Sequence, residues 1–84
     1  MPEICRFYGI IIKMFFRPKE HESAHIHAIY NDDVAAIDYM TGKVLEGYLP
    51  PKALKMVQEW IEINRSELQN IWETQEFKKL PPLE

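Results

Sequence analysis

The stretch AHIHAIYNDDVAAIDY, residues 24–39, decides how the middle of this chain folds. In its first half, apolar or aromatic residues at the even positions 24–30 alternate with His25, His27 and Ile29. This two-residue period is typical of a β-strand. The NDD tripeptide at 31–33 is a turn signal, after which Ile37 and Tyr39 resume the alternation. The stretch therefore predicts an antiparallel hairpin.

Further strands are predicted on both sides of this hairpin. Residues 4–16 are rich in β-branched and aromatic side chains and predict one strand, in which Gly9 suggests a bulge or a bend. The polar segment 17–23 predicts a loop. Thr41-Gly42 predicts a second turn into KVLEGYL, residues 43–49. Sequential strands joined by tight turns predict an antiparallel meander.

The period changes to three and four after Pro50, which indicates helix, and Pro51 suits a first helical position. Ser66 and Gln69 fit a capping box, so we expect two helices with a break near residue 65. The resulting class is α+β: a small antiparallel β-meander of three to four strands, followed by two C-terminal helices packed on one face. We expect a single domain, 1–84, with strands at about 3–49, helices at about 51–76 and a loose tail at 77–84. The apolar positions of the helical region are Leu54, Val57, Trp60, Ile61, Leu68, Ile71 and Trp72.

Composition limits the classes of function. The 84 residues carry a net charge of −3 and one cysteine, Cys5, so an internal disulfide and a cysteine-based zinc finger are excluded. The apolar stretches are too short to cross a bilayer and resemble no signal peptide, so we expect a cytoplasmic protein without a membrane partner. No basic stripe is visible, which disfavours a nucleic-acid binder. Arg6, Lys13 and Arg17 nevertheless form a candidate contact surface for a partner.

All three histidines of the chain, His21, His25 and His27, lie in HESAHIH, residues 21–27. Strand alternation places His25 and His27 on one face, about 6–7 Å apart at Cα. A two-residue turn at Asn31-Asp32 would place Asp38 opposite His25, whereas a turn at Asp32-Asp33 would place it opposite His27. Both registers bring a carboxylate beside a histidine.

This constellation suits several chemistries. A carboxylate fixes an imidazole tautomer and raises its basicity, so His25, His27 and Asp38 are candidate catalytic residues. His21, His25 and His27 are candidate ligands of a divalent metal, with Zn²⁺ or Mn²⁺ foremost. The simpler alternative is a solvated strand face on which the histidines are ordinary polar residues.

The segment EHESAHIHA, residues 20–28, resembles a bacterial family called DUF4160, whose members typically read Asp-His-x-Pro-Pro-His-Phe-His-Ala here. The three histidines and Ala28 fall on matching positions, GYLP at 47–50 matches the family's Gly-x-Leu-Pro, and both tryptophans match its helical tryptophans. Ser23-Ala24 replaces the proline pair, Ile26 the phenylalanine and Glu20 the aspartate.

The resemblance implies a small bacterial protein that is often encoded beside another small protein, a layout similar to toxin–antitoxin modules. Our first hypothesis is therefore a cytoplasmic module that binds a small protein from a neighbouring gene. The second hypothesis is a metal-dependent or histidine-based hydrolase, with ribonuclease activity as the natural toxin chemistry. It would use His21, His25, His27 and Asp38.

Overall fold

The computed structural model describes residues 3–14, 25–74, 76 and 78–83. One five-stranded antiparallel sheet has the order β1-β2-β3-β4-β5, and a helix follows it. The α+β class and the meander agree with the prediction, whereas the predicted strand number of three to four is too low. The elements are β1 (Glu3–Phe7), β2 (Ile10–Lys13), β3 (His25–Tyr30), β4 (Asp33–Asp38), β5 (Val44–Gly47) and α1 (Pro51–Thr74).

The additional strand comes from the N-terminal stretch, which forms a hairpin rather than one strand. Tyr8 and Gly9 both adopt positive φ, at 48° and 81°. Two such residues in succession are typical of the tight primed turns that join adjacent strands. The chain therefore reverses here, and Phe7 pairs with Ile10.

The helical region is one element with a kink, not two helices. Asn64 has non-helical dihedral angles, φ −108° and ψ 15°, inside Pro51–Thr74. Its side-chain Nδ2 donates to the carbonyl oxygen of Trp60 at 3.0 Å. A side chain that enters the hydrogen-bond ladder in this way is a recognised cause of kinks. The predicted break near residue 65 thus corresponds to a bend, and the predicted capping role of Gln69 is replaced by acceptance of a hydrogen bond from the Tyr39 hydroxyl, at 2.9 Å.

Helix α1 packs against one face of the sheet. The inward side chains of β2, β3 and β4 are Ile10, Ile12, Ile26, Ala28, Ala35 and Ile37, and all are buried in the same cluster as the apolar side of the helix. Trp60 is fully buried at the centre of that side. The opposite face of the sheet retains solvent exposure and carries Arg6, Lys13, His25, His27, Val34, Asp38 and Glu46.

The C-terminal segment packs against this core, in contrast to the expected loose tail. Leu80 is 7% exposed, and its backbone N–H donates to the Ile4 carbonyl at 3.1 Å, along the outer edge of β1. The indole N–H of Trp60 donates to the carbonyl of Pro81 at 2.8 Å. Residues 78–83 therefore cover part of the β1 edge.

Within the described residues, no helix combines the length and the hydrophobicity needed to cross a membrane.

Candidate functional site

The β3–β4 hairpin sets the geometry of the histidines. Its turn consists of Asn31 and Asp32, and Asn31 adopts a φ of +55°, a conformation that asparagine tolerates well. Tyr30 pairs with Asp33, and this register places His25 opposite Asp38. Of the two registers that the sequence allowed, the structure shows the first.

The two imidazoles lie side by side on the outer face of β3. Their ring centroids are 5.0 Å apart and the ring planes meet at 76°. Both residues are partly buried, and Nδ1 of His27 lies out of contact with solvent. Two imidazoles at this separation can act on the same ligand or substrate group.

Trp72, one of the apolar positions of the predicted helical region, packs against the core and also contacts this site. Its ring centroid is 6.0 Å from that of His25, and the residue is half-buried at the end of α1 beyond the kink. The helical periodicity could not reveal the contact between Trp72 and His25, because this contact depends on how the helix lies across the sheet.

Asp38 has a structural task in addition to its position beside His25. Its Oδ1 accepts a hydrogen bond from the backbone N–H of Met40 at 2.8 Å, and its carbonyl accepts one from Gly42 at 2.7 Å. These bonds hold the β4–β5 connection. A carboxylate has two oxygens, so Oδ2 can still serve a second donor.

A row of side chains crosses the outer face from β2 to β5. His27 pairs with Lys13 on β2 and with Ala36 on β4, and Ala36 pairs with Glu46 on β5. Ala36 is small, so a cleft of about 240 Å³ opens between His27 and Glu46, with Val34 and Gly47 completing its lining.

Glu46 was missed by the sequence analysis. The bulge between Ala36 and Ile37 changes the register of β5, so counting alternate residues does not show which face Glu46 occupies. A strand of four residues offers too few positions to detect that change.

The N-terminal candidate surface is only partly described. Arg6 forms an ion pair with Glu3, with Nη2–Oε1 at 2.9 Å and Nε–Oε2 at 3.2 Å. This hydrogen bonding lowers the pKa of the Glu3 carboxyl and raises the pKa of Arg6. Lys13 lies on the outer face beside His27. Arg17 lies outside the described residues.

A metal centre would need a ligand beyond those that the structure describes. Within residues 3–14, 25–74, 76 and 78–83, no group of three or more His, Cys, Asp or Glu side chains could hold a metal ion. His25 and His27 are adjacent, but the predicted third ligand, His21, lies outside these ranges. Imidazole pairs suit Zn²⁺ and Mn²⁺ only when further ligands complete the coordination sphere.

The fold and the site define a small α+β protein with a five-stranded meander. Two histidines of its central hairpin lie on the face of the sheet that the helix does not cover. The family model for DUF4160, a domain of unknown function, matches residues 9–73, and the chain belongs to this family. The matched range includes the three histidines, the GYLP segment and both tryptophans. No curated protein and no solved structure matches the chain.

Proposed function

We propose that this protein is a cytoplasmic binding module that docks a small partner protein at the β5 edge of its sheet. The main support for this proposal is a set of large apolar side chains that are exposed at that edge. Leu45 is 49% exposed and Tyr48 is 59% exposed, and Val44 and Met40 are exposed beside them. Apolar residues gathered at one place favour a contact surface over chance exposure.

The two edges of the sheet differ in a way that supports this proposal. The β1 edge is covered in part by the C-terminal segment, through the Leu80–Ile4 hydrogen bond. Among the described residues, no strand pairs with the outer edge of β5. An edge strand presents backbone N–H and C=O groups that an extended partner segment can bind.

The form of β5 favours selective docking. The strand has four residues and a bulge at its middle, and both features limit indiscriminate pairing between edges. Because few backbone hydrogen bonds are on offer, side-chain contacts must supply much of the affinity. Such a surface suits a dedicated partner, and the two-gene layout implied by the family resemblance makes the neighbouring gene's product the natural candidate.

Capture of purified neighbouring-gene product tests this proposal. We expect wild-type protein to bind it at micromolar concentration and Leu45→Lys to lose at least about tenfold in affinity, because a buried lysine at the interface centre costs more than about 1.4 kcal/mol. Ile63→Lys is the matched control, since Ile63 is 71% exposed on the helix. The proposal would be contradicted if the two proteins did not bind each other at micromolar concentration, or if both variants lost the same affinity.

A second candidate function, a histidine-based or metal-dependent hydrolase, rests on the register that pairs His25 with Asp38 and on the 5.0 Å separation of the imidazoles. In a metal-free mechanism one imidazole accepts a proton from the nucleophile while the other donates to the leaving group, and Asp38 orients His25. In a metal-dependent mechanism His21 completes the ligand set with His25 and His27.

Cleavage of RNA by tag-free protein, with and without Zn²⁺ or Mn²⁺, tests this candidate. His25→Ala and His27→Ala should each reduce the rate by about 10²-fold or more. Asp38→Asn should also reduce it, while Asp32→Asn in the exposed turn should not. His21→Ala separates the two mechanisms, because only the metal-dependent one requires it. An activity unchanged in His25→Ala and His27→Ala would eliminate this candidate.

A further inference from the structure

We infer that the cleft between His27 and Glu46 receives a lysine or arginine side chain from the partner segment docked on β5. This inference rests on the proposed binding function and adds the chemistry of the partner. The docked segment would lie next to β5, so its side chains on the outer face point towards Glu46 and the cleft beyond it.

The shape of the cleft fits a long side chain with a charged end. His27 and Glu46 lie two strands apart, on either side of Ala36, which corresponds to about 10 Å between their Cα atoms. Ala36 and Gly47 leave the floor open, and Val34 contributes an apolar wall. A side chain that enters from beyond β5 can pass its alkyl stem over Gly47 and place its cationic head above Ala36, within reach of the Glu46 carboxylate.

The charge of Glu46 is uncompensated within the described part of the chain. Glu3 pairs with Arg6 and Glu67 pairs with Lys78, but the side chain of Glu46 forms no ion pair and no hydrogen bond with any described residue. Residues 31–49 carry Asp32, Asp33, Asp38 and Glu46 against Lys43, and one further basic residue, Lys13, lies beside His27 on β2, so acidic groups outnumber basic ones around the cleft. The local field therefore attracts a cation.

Other ligand classes fit the cleft less well. An anion would be repelled by Glu46 and by the acidic residues of the hairpin. A divalent metal ion would find two ligands in the cleft, His27 and Glu46, and no set of three suitable ligands exists among the described residues. An ammonium or guanidinium group needs only one carboxylate within reach, and Glu46 supplies it.

The test compares two capped peptides, Thr-Val-Arg-Val-Thr and the same peptide with neutral citrulline in place of arginine. Each is titrated to millimolar concentration into ¹⁵N-labelled protein while the amide shifts are followed. We expect both peptides to shift the amides of Val44–Gly47, and the arginine peptide to bind about two- to fivefold more tightly, the effect of one favourable cross-strand charge pair. Glu46→Gln should abolish this preference. Glu62→Gln, which removes an exposed helical carboxylate, should retain it.

The outcomes separate the inference from the proposed function. Equal affinities for the two peptides with shifts at β5 would overturn the inference while supporting strand docking. Binding of neither peptide at β5 would also overturn it, and capture of the neighbouring-gene product, which uses no peptide, would then show whether the proposed function fails as well. A preference that persists in Glu46→Gln would assign the charge recognition to another residue and overturn the inference.

Discussion

Replacement of Gly47 by alanine tests the contact between β4 and β5 most directly. The φ of Gly47 is +86°, and a Cβ at this position would lie 2.1 Å from the backbone oxygen of Val34. An alanine in the left-handed conformation costs about 1–2 kcal/mol. Real Cβ atoms essentially never approach closer than 3.0 Å, so the two strands must also move apart by nearly 1 Å.

The movement has a second cost because the same Val34 oxygen accepts the backbone N–H of Tyr48, at 3.1 Å. Loss of that hydrogen bond costs about 1 kcal/mol. The sum for Gly47→Ala is about 2–3 kcal/mol, a large share of the total stability of a domain of this size. We therefore expect the melting temperature to fall by about 8 °C or more.

Gly42→Ala is the matched control for this experiment. Gly42 has a φ of +81°, but the atom nearest to a methyl group added at this position would be Cγ of Gln58 at 3.8 Å, an ordinary contact. Gly42→Ala should therefore lower the free energy of unfolding only by the cost of an alanine in the left-handed conformation, about 1–2 kcal/mol. Urea unfolding followed by tryptophan fluorescence gives both free energies of unfolding. Values for the two variants within about 0.5 kcal/mol of each other would refute the close approach of β5 to β4.

Two further predictions concern the C-terminal segment and the buried tyrosine. Leu80→Ala should lower the free energy of unfolding by about 2 kcal/mol because the side chain is 7% exposed. As a control, Pro82→Ala at an exposed position should change the free energy of unfolding by less than about 0.5 kcal/mol. If urea unfolding gave equally small effects for both variants, the C-terminal segment would not pack against the core. Burial raises the pKa of Tyr39 from 10.0 to about 12, so the unfolded chain loses its phenolic proton first and stability should fall as pH rises between these values. Tyr39→Phe should remove that part of the alkaline loss, while exposed Tyr48→Phe should keep it.

The central hairpin was predictable because every local signal in it agrees. Alternation fixed the faces of β3, and Asn31 is an amino acid that accepts positive φ, so the turn and its flanking strands indicated the same structure. The pairing of His25 with Asp38 could be reduced to two registers. Choosing between them required the turn geometry, since adjacent Asn and Asp residues all suit such turns.

The N-terminal hairpin and the C-terminal segment were not predictable for physical reasons. Tyr8 adopts a left-handed conformation that sequence rules assign to Gly, Asn or Asp, so the turn lacked its usual signal. The packing of residues 78–83 depends on Leu80 filling a place in the core and on a hydrogen bond from Trp60. Both are tertiary contacts between distant parts of the chain, and local composition carries no trace of them.

The candidate site shows the same division. His25 and His27 were found from their alternation, whereas Trp72 and Glu46 emerged only from the structure. Trp72 joins the site through the position of the helix on the sheet. Glu46 faces the cleft because the bulge near Leu45 rotates β5 by one residue.

The two candidate functions share one residue, and this makes them separable. His27 lines the cleft that would receive the partner's basic side chain, and it also neighbours His25 in the candidate catalytic pair. A basic side chain in the cleft would lie against His27 and hinder the approach of substrate, so a docked partner would weaken any acid–base chemistry at the histidines. If both functions are present, Glu46→Gln should weaken partner binding and spare RNA cleavage, Asp38→Asn should do the reverse, and His27→Ala should impair both. Partner binding that leaves the cleavage rate unchanged would show that the cleft and the histidine pair act independently.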